Sequence, residues 1–471
     1  VGDLAETMSQ NMSISAQGYV PIQTPCYDGP AEQEADVGRA LELSPSNLAT
    51  LEEKVNLTPP AHDQGKAVAQ YGMGNKFRTG SGVGKDAVEA VRLYRLAADQ
   101  GDAVAQYKLG NQYRTGSGVD KDTVEAVRWY RLAADQGDAD AQLNLGYRYA
   151  KGEGVGKDAA EAVRWYRLAA DQGHAGAQCN LGNQYRTGSG VDKDAVEAVR
   201  WYRLAADQGD AVAQYNLGVC YDNGTGVGKD AVKAVRWYRL AADQGDAVAQ
   251  LNLGNQYRTG SGVDKDAVEA VRWYRLASDQ GDAVAQCNLG NQYRTGSGVD
   301  KDAVEAVRWY RLAADQGDAV AQLNLGNQYR TGSGVDKDAV EAVRWYRLAA
   351  DQGDAVAQYN LGVCYDNGTG VGKDAVKAVR WYRLAADQGD AVAQLNLGNQ
   401  YRTGSGVDKD AVEAVRWYRL AADQGDAVAQ YNLGVCYDNG TGVGKDAVKA
   451  VRWYRLAADQ GHAGAQCWIC L

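Results

Sequence analysis

The stretch GDAVAQLNLGNQYRTGSGVDKDAVEAVRWYRLAADQ, residues Gly317–Gln352, decides the fold, because the chain repeats it almost letter for letter. Asp318 is placed to cap a first helix, on which Ala321, Leu325 and Tyr329 recur at i, i+4 and i+8. Gly326 lies mid-helix at a cost of ~1 kcal/mol against Ala, so a closely approaching neighbour is expected there. Gly332 ends that helix, and Ser333–Lys337 form a short loop in which Val335 is an apolar plug. Asp338 then caps a second helix, with Glu341 three residues on in capping-box position. Ala342, Trp345, Tyr346 and Ala349 follow at i, i+3, i+4 and i+7, one apolar face, until Gly353 stops the helix. No part of the unit alternates with period two, so strands are not expected.

Working outward, Asp-Gln-Gly recurs every 36 residues from 63 to 459. That makes eleven complete units over Gly65–Gln460 and a broken twelfth at Gly461–Leu471. A period in this range means a solenoid or propeller, and a two-helix unit selects the solenoid. The expected fold is therefore all-α, an α-solenoid of eleven helix-turn-helix repeats. Such an array escapes the usual size limit on a domain, since each repeat buries surface only on its neighbours.

All six prolines lie in the first 60 residues, which sets a boundary near residue 61. Residues 1–30 carry few large apolar side chains and read as disordered or loosely ordered. Residues 31–60 read as short helices, 31–43 and 47–56, stopped by Pro59-Pro60. The array occupies 61–471.

Net charge is -10 over 471 residues, which argues against a nucleic-acid surface. No run approaches the ~20 apolar residues of a membrane span. Of eight cysteines, Cys179, Cys220, Cys287, Cys364 and Cys436 fall one per repeat on first helices. No repeat can close an internal bridge with them, so unpaired thiols and a reducing compartment are expected. The start, Val1-Gly2-Asp3-Leu4-Ala5-Glu6, has no charged n-region or apolar h-region. Cytoplasmic is favoured over secretory on these two grounds, although residue 1 is not Met and a leader upstream of it stays open.

The residues Ala355-x-Ala357-Gln358, Leu361-Gly362, Tyr365, Gly368-x-Gly370-Val371, Asp374, Ala378, Trp381-Tyr382, Ala385-Ala386 and Gln388-Gly389 resemble the Sel-one-like repeat, a relative of the tetratricopeptide repeat. The resemblance covers all eleven units. It implies right-handed stacking into a superhelix and an adaptor role in protein complexes. One branch of the family comprises cysteine-rich secreted proteins described as binding or hydrolysing β-lactams, with cysteines paired across the two helices of a repeat. Here the second helices hold no cysteine, against that branch. The segment Ala40–Asn47 resembles the end of a tetratricopeptide helix pair, which implies a degraded upstream repeat in 31–58.

Because the copies are so alike, their differences are informative. One first-helix position carries Tyr71, Tyr107, Tyr215, Leu251, Leu323, Tyr359, Leu395 or Tyr431, and otherwise Leu143, Cys179 or Cys287. Four residues on, Asn255 and Asn327 alternate with Val363. Seven on, Arg78, Arg114, Arg186, Arg258, Arg294, Arg330 and Arg402 alternate with Asp222, Asp366 and Asp438. The spacing i, i+4, i+7 is one helical stripe, about 160° from the Leu325 stripe. By resemblance to tetratricopeptide repeats it lies along a concave groove and is the candidate partner-binding surface. The apolar position serves equally well as packing between first helices, and duplication of random substitutions would also produce the pattern.

Where the third position turns from Arg to Asp, a second-helix site turns from Glu to Lys: Asp222 with Lys233, Asp366 with Lys377, Asp438 with Lys449. A charge pair across the turn, Arg330 with Glu341 and Asp366 with Lys377, is the expected reason.

Catalysis is not expected. His62, His174 and His462 sit beside turns, where capping is the ordinary role. No zinc spacing, nucleophile elbow or phosphate loop appears, and Gly-x-Gly-Val joins two helices rather than following a strand. Copied units also offer the same groups everywhere, whereas acid–base chemistry needs unlike ones. Cys467-Trp468-Ile469-Cys470 falls where the repeat frame breaks and reads as a truncation scar. Asn11, Asn223, Asn367 and Asn439 stand in acceptor sequons, though Asn-Gly at a helix end is first a C-cap turn. The expected function is a non-catalytic protein–protein interaction scaffold that binds proteins or peptides, with no cofactor, metal, nucleic acid or membrane insertion. The alternatives are a secreted β-lactam-binding or -hydrolysing protein and a structural spacer without a ligand.

Overall fold

Asp318 accepts from the Ala321 N–H at 2.7 Å, and Asp338 from the N–H groups of Val340 and Glu341 at 2.8 and 3.0 Å, so both caps form in the computed structural model. They open the helices Ala319–Thr331 and Ala339–Asp351, and the first ends on a left-handed Gly332 at φ +77°. The capping box is only half made. The Asp338 N–H donates to the Tyr329 carbonyl at 2.9 Å, and Glu341 turns instead to Arg344.

This unit sets the pattern. The structure describes residues 61–469, with side chains from 65 to 468, as 23 helices and no strand. First helices run from Ala61–Thr79 to Ala463–Ile469, and second helices from Ala87–Ala98 to Ala447–Asp459. The expectations for 1–30, for the short helices of 31–60 and for Cys470 lie outside the described residues. The described residues fall into two compact units that divide between Ala249 and Gln250. Each is an α-solenoid of 36-residue helix pairs in which a first helix packs on its own second helix, and that on the next first helix.

Tyr346 is fully buried, a ring whose removal from water stabilises by roughly 1.5–3 kcal/mol. It also explains the mid-helix glycine. A Cβ on Gly326 would stand 2.7 Å from Cδ1 and Cε1 of Tyr346. The first helix gives up helix propensity so that this ring can lie against its backbone. Val335 packs against the core as its plug position requires.

Successive repeats are locked by a buried glutamine ladder that the sequence reading did not foresee. Gln358, 4% exposed, donates through Nε2 to the Ala350 carbonyl of the preceding second helix at 3.1 Å. Its Oε1 accepts from Gln388 Nε2, at the end of its own second helix, at 2.8 Å. The same linkage recurs at Gln322 and at Gln394. Substituting Gln358→Ala removes the Nε2 donor from the Ala350 carbonyl, which keeps the Gly353 N–H at 3.0 Å, so the loss is about 0.5–1.5 kcal/mol. Native-state hydrogen exchange should speed up across the junction of the flanking repeats and little beyond it, as expected of nearest-neighbour coupling.

Candidate functional site

On the first helix of the unit 317–352 few residues reach solvent. Ala321, Leu325 and Tyr329 are buried; Val320 is 46% exposed, Asn324 and Asn327 are half-buried, and Arg330 and Thr331 are exposed. Three contacts show that first helices of successive repeats lie side by side. Asn324 Nδ2 meets Cys287 Sγ at 3.9 Å, Gln400 Nε2 donates to Asp366 Oδ2 at 2.9 Å, and His174 Nε2 lies 3.1 Å from Asp140 Oδ1.

The apolar position of the stripe faces inward, which corrects its reading as groove lining for part of the set. Tyr107, Tyr215, Leu251 and Leu395 are buried; Tyr71, Leu323, Tyr359 and Tyr431 are half-buried. The tyrosines pack on the second-helix tyrosine of their own repeat: Tyr215 on Tyr238 and Tyr359 on Tyr382, centroids 6.0 Å apart in both pairs. Tyr, Leu and Cys interchange here because the position fills space within the stack.

The other two positions converge on the second-helix tyrosine. The Tyr346 hydroxyl donates to Asn327 Oδ1 at 2.8 Å and accepts from Arg330 Nε at 3.2 Å. Tyr274 does the same with Asn255 and Arg258 at 2.7 and 3.2 Å, as does Tyr310 with Asn291 and Arg294 at 2.8 and 3.3 Å. Tyr202 with Arg186 and Tyr418 with Arg402 repeat the arrangement. In the first two repeats the phenols of Tyr94 and Tyr130 donate to Asn75 and Asn111, beside the half-buried Arg78 and Arg114.

The hub changes hands where the sequence does. Val363 cannot accept, and Tyr382 donates instead to Asp366 Oδ2 at 3.4 Å; Tyr238 reaches Asp222 Oδ2 at 3.5 Å. A phenol has one hydrogen to give, so an Asn acceptor with an Arg donor, or an Asp acceptor alone, each satisfies it. Burial pushes the Tyr346 phenol up to about 12, with Arg330 opposing. For Tyr382 burial and the Asp366 carboxylate both push upward. In the last such repeat Asp438 acts on Tyr454 in the same sense.

The expected charge pair across the turn does not form. Glu341 pairs with Arg344 at 3.3 Å, one turn along its own helix, and Lys377 with the cap residue Asp374 at 3.1 Å. Lys377 also stands over the Tyr365 ring, 5.5 Å from its centroid. Both second-helix charges thus find partners nearby, while Arg330 and Asp366 turn to the tyrosine. The sequence could not reveal that hub, because the tyrosine never varies.

His174 and His462 do cap, their Nδ1 atoms accepting from Ala177 N at 3.4 Å and Ala465 N at 3.2 Å; the His62 side chain is outside the described ones. Asn223, Asn367 and Asn439 each end a helix before a left-handed glycine, as read. The thiol expectation needs one correction. Cys220, Cys287, Cys364, Cys436 and Cys467 are free, but Cys179 is disulfide-bonded, so the array is not wholly unpaired. Burial pushes the thiols of Cys220 and Cys364 up to about 11, which makes them poor nucleophiles. No helix among the described residues is long and apolar enough to cross a membrane.

Comparison with known proteins agrees with this geometry. The family described as Sel1 repeat matches in eleven consecutive blocks, from 67–102 to 427–462. Among solved structures, the chain is similar to c5321, a protective antigen of uropathogenic Escherichia coli strains displaying an SLR fold. Identity is 40% over 86% of each chain, with a TM-score of 0.77. It is also similar to a Sel1 repeat protein from Oxalobacter formigenes, at 34% identity over 69% of this chain and 92% of that one, TM-score 0.52. A search of curated proteins gives no match.

Proposed function

The chain belongs to the Sel1 repeat family, and from that premise we propose that it is a non-catalytic scaffold that binds segments of partner proteins along its first helices. The observation that carries this is the division of labour within a repeat. Glutamine ladder, glycine–tyrosine contact and caps are copied throughout, while the residues that reach solvent around the tyrosine hydroxyl and at the start of the second helix change charge, Arg330 to Asp366 and Glu341 to Lys377. Constant frame with a varying face is how a repeat array changes partners without changing fold. Protein is preferred to nucleic acid as the partner because the chain's net charge is -10.

Photo-crosslinking tests the reading. Benzoylphenylalanine at Val320, on the exposed side of a first helix, should give discrete protein adducts in cells that make the chain. The same probe at Val340, on a second helix and 65% exposed, should give few. Adducts of equal yield and identity from both positions, or none from Val320, would remove the first helices as the binding face.

A further inference from the structure

We infer that the first-helix face from Arg258 to Arg330 receives an acidic, extended polypeptide segment; this rests on the scaffold reading above and names the chemistry of the partner. The observation is an imbalance among the arginines. On second helices, Arg272, Arg308 and Arg344 each hold a glutamate three residues back, at 3.2 to 3.3 Å, while Arg275, Arg311 and Arg347 each use an outer nitrogen, Nη2, on the next first helix's tyrosine hydroxyl and lie over that ring. Arg258, Arg294 and Arg330 form no ion pair with a carboxylate among the described residues. Each is bonded instead through Nε to a buried tyrosine hydroxyl, at 3.2 to 3.3 Å.

That bond uses the inner nitrogen and leaves the two Nη groups for a further partner. A planar fork of this kind takes a carboxylate through two parallel bonds. The tyrosine holds the guanidinium in place beforehand, so less side-chain freedom is lost on binding than for a loose arginine. Arg258 and Arg330 are exposed and Arg294 is half-buried, so the forks are within reach of a ligand.

The three cations stand at the same position of consecutive repeats. Neighbouring helices pack about 8–10 Å apart, and a chain extended as polyproline II rises about 3.1 Å per residue with three residues per turn, so that every third side chain shares one face. An acidic side chain at every third residue therefore keeps step with the array. One repeat further on the sign reverses: Asp366 takes the position, holding Tyr382 and Gln400 but no cation. The matching segment carries acids along three repeats and then a basic residue or an end.

The test uses the full chain and fluorescein-labelled peptides long enough to span three repeats. They are built of Gly and Ser with Glu, Lys or Gln at every third residue, with oligouridylate as competitor. The Glu peptide should bind, and added salt should weaken it, as exposed charges are screened. The triple variant Arg258→Gln/Arg294→Gln/Arg330→Gln should weaken it by roughly tenfold, the scale of three exposed ion pairs. Arg272→Gln/Arg308→Gln/Arg344→Gln should leave it unchanged. A gain-of-function variant guards against a folding defect. Val363→Asn/Asp366→Arg converts that repeat to its neighbours' type and should tighten binding of the Glu peptide by a few-fold.

Glu, Lys and Gln peptides bound alike, and crosslinked to Val320, would keep the scaffold reading and overturn the acidic partner. Displacement of the Glu peptide by far less oligouridylate than Glu peptide would overturn it in favour of RNA. Failure of every peptide together with absence of adducts at Val320 would overturn both.

Discussion

Replacing Gly334 with alanine should destabilise its repeat by about 2–5 kcal/mol, counting backbone strain and forced repacking together. Gly334 sits at φ +74°, in the left-handed region, where an L side chain is strained by about 1–2 kcal/mol. The larger obstacle is what the new methyl would meet. A Cβ there would stand 2.0 Å from the Ala303 carbonyl oxygen and 2.3 Å from its carbon, the backbone opening the preceding second helix. No rotamer change relieves a backbone clash, so the loop must lift off the neighbouring repeat, and overpacking adds about 1–3 kcal/mol. Gly353 supplies the control. Its φ is +96°, yet nothing lies within 4 Å of a Cβ built on it, so Gly353→Ala should cost the conformational part alone. Thermal and urea unfolding of the two variants measures the difference. Equal losses would mean that the loop glycine serves turn geometry and not the junction between repeats.

The contrast between these two glycines marks how far a one-dimensional reading reaches. Periodicity placed the helices, caps and left-handed ends, because each depends on residues close in sequence. It also flagged Gly326 as a site of close approach, since a mid-helix glycine is a standing cost that only packing offsets. What it could not supply was the identity of partners on the facing helix. Tyr346 meets Gly326 at a separation of 20 residues, and Gln388 meets Gln358 at 30, with nothing in the letters to join them. The varying stripe showed the same limit. Its apolar position varied where Tyr, Leu and Cys all fill a buried or half-buried space, so variation there reflected tolerance in packing. Its charged position varied together with Asn and Val three residues away and with Glu and Lys eleven away. The pairing inferred from that covariation chose the wrong partner because the true one, the tyrosine, is invariant. Covariation exposes pairs that change, and a hub that accepts either solution stays hidden.

The hub can be tested by removing it in both of its settings. Tyr346→Ala should cost about 3–5 kcal/mol, the range for deleting a buried aromatic ring when the site collapses only in part. The ring is wholly buried, and it lies against Gly326, which has no side chain to close the gap. Tyr346→Phe keeps the ring and removes only the hydroxyl, so it isolates the polar part. Asn327 Oδ1 then loses its donor and Arg330 Nε its acceptor, two bonds of 2.8 and 3.2 Å. Asn327 is half-buried and Arg330 exposed, so water replaces part of what is lost, and about 1 kcal/mol is expected. Tyr382→Phe breaks one longer bond, 3.4 Å, and Asp366 retains Gln400 at 2.9 Å. A carboxylate that keeps one donor and meets solvent loses little. The order of destabilisation should therefore be Tyr346→Ala, then Tyr346→Phe, then Tyr382→Phe, the last near zero. Unfolding monitored by hydrogen exchange at 319–351 and 355–387 resolves the repeats separately, as a single melting curve would not. If Tyr382→Phe cost as much as Tyr346→Phe, the two sets of partners would not be alternative solutions for one phenol. The Asn–Arg and Val–Asp combinations would then be free to vary for the surface alone.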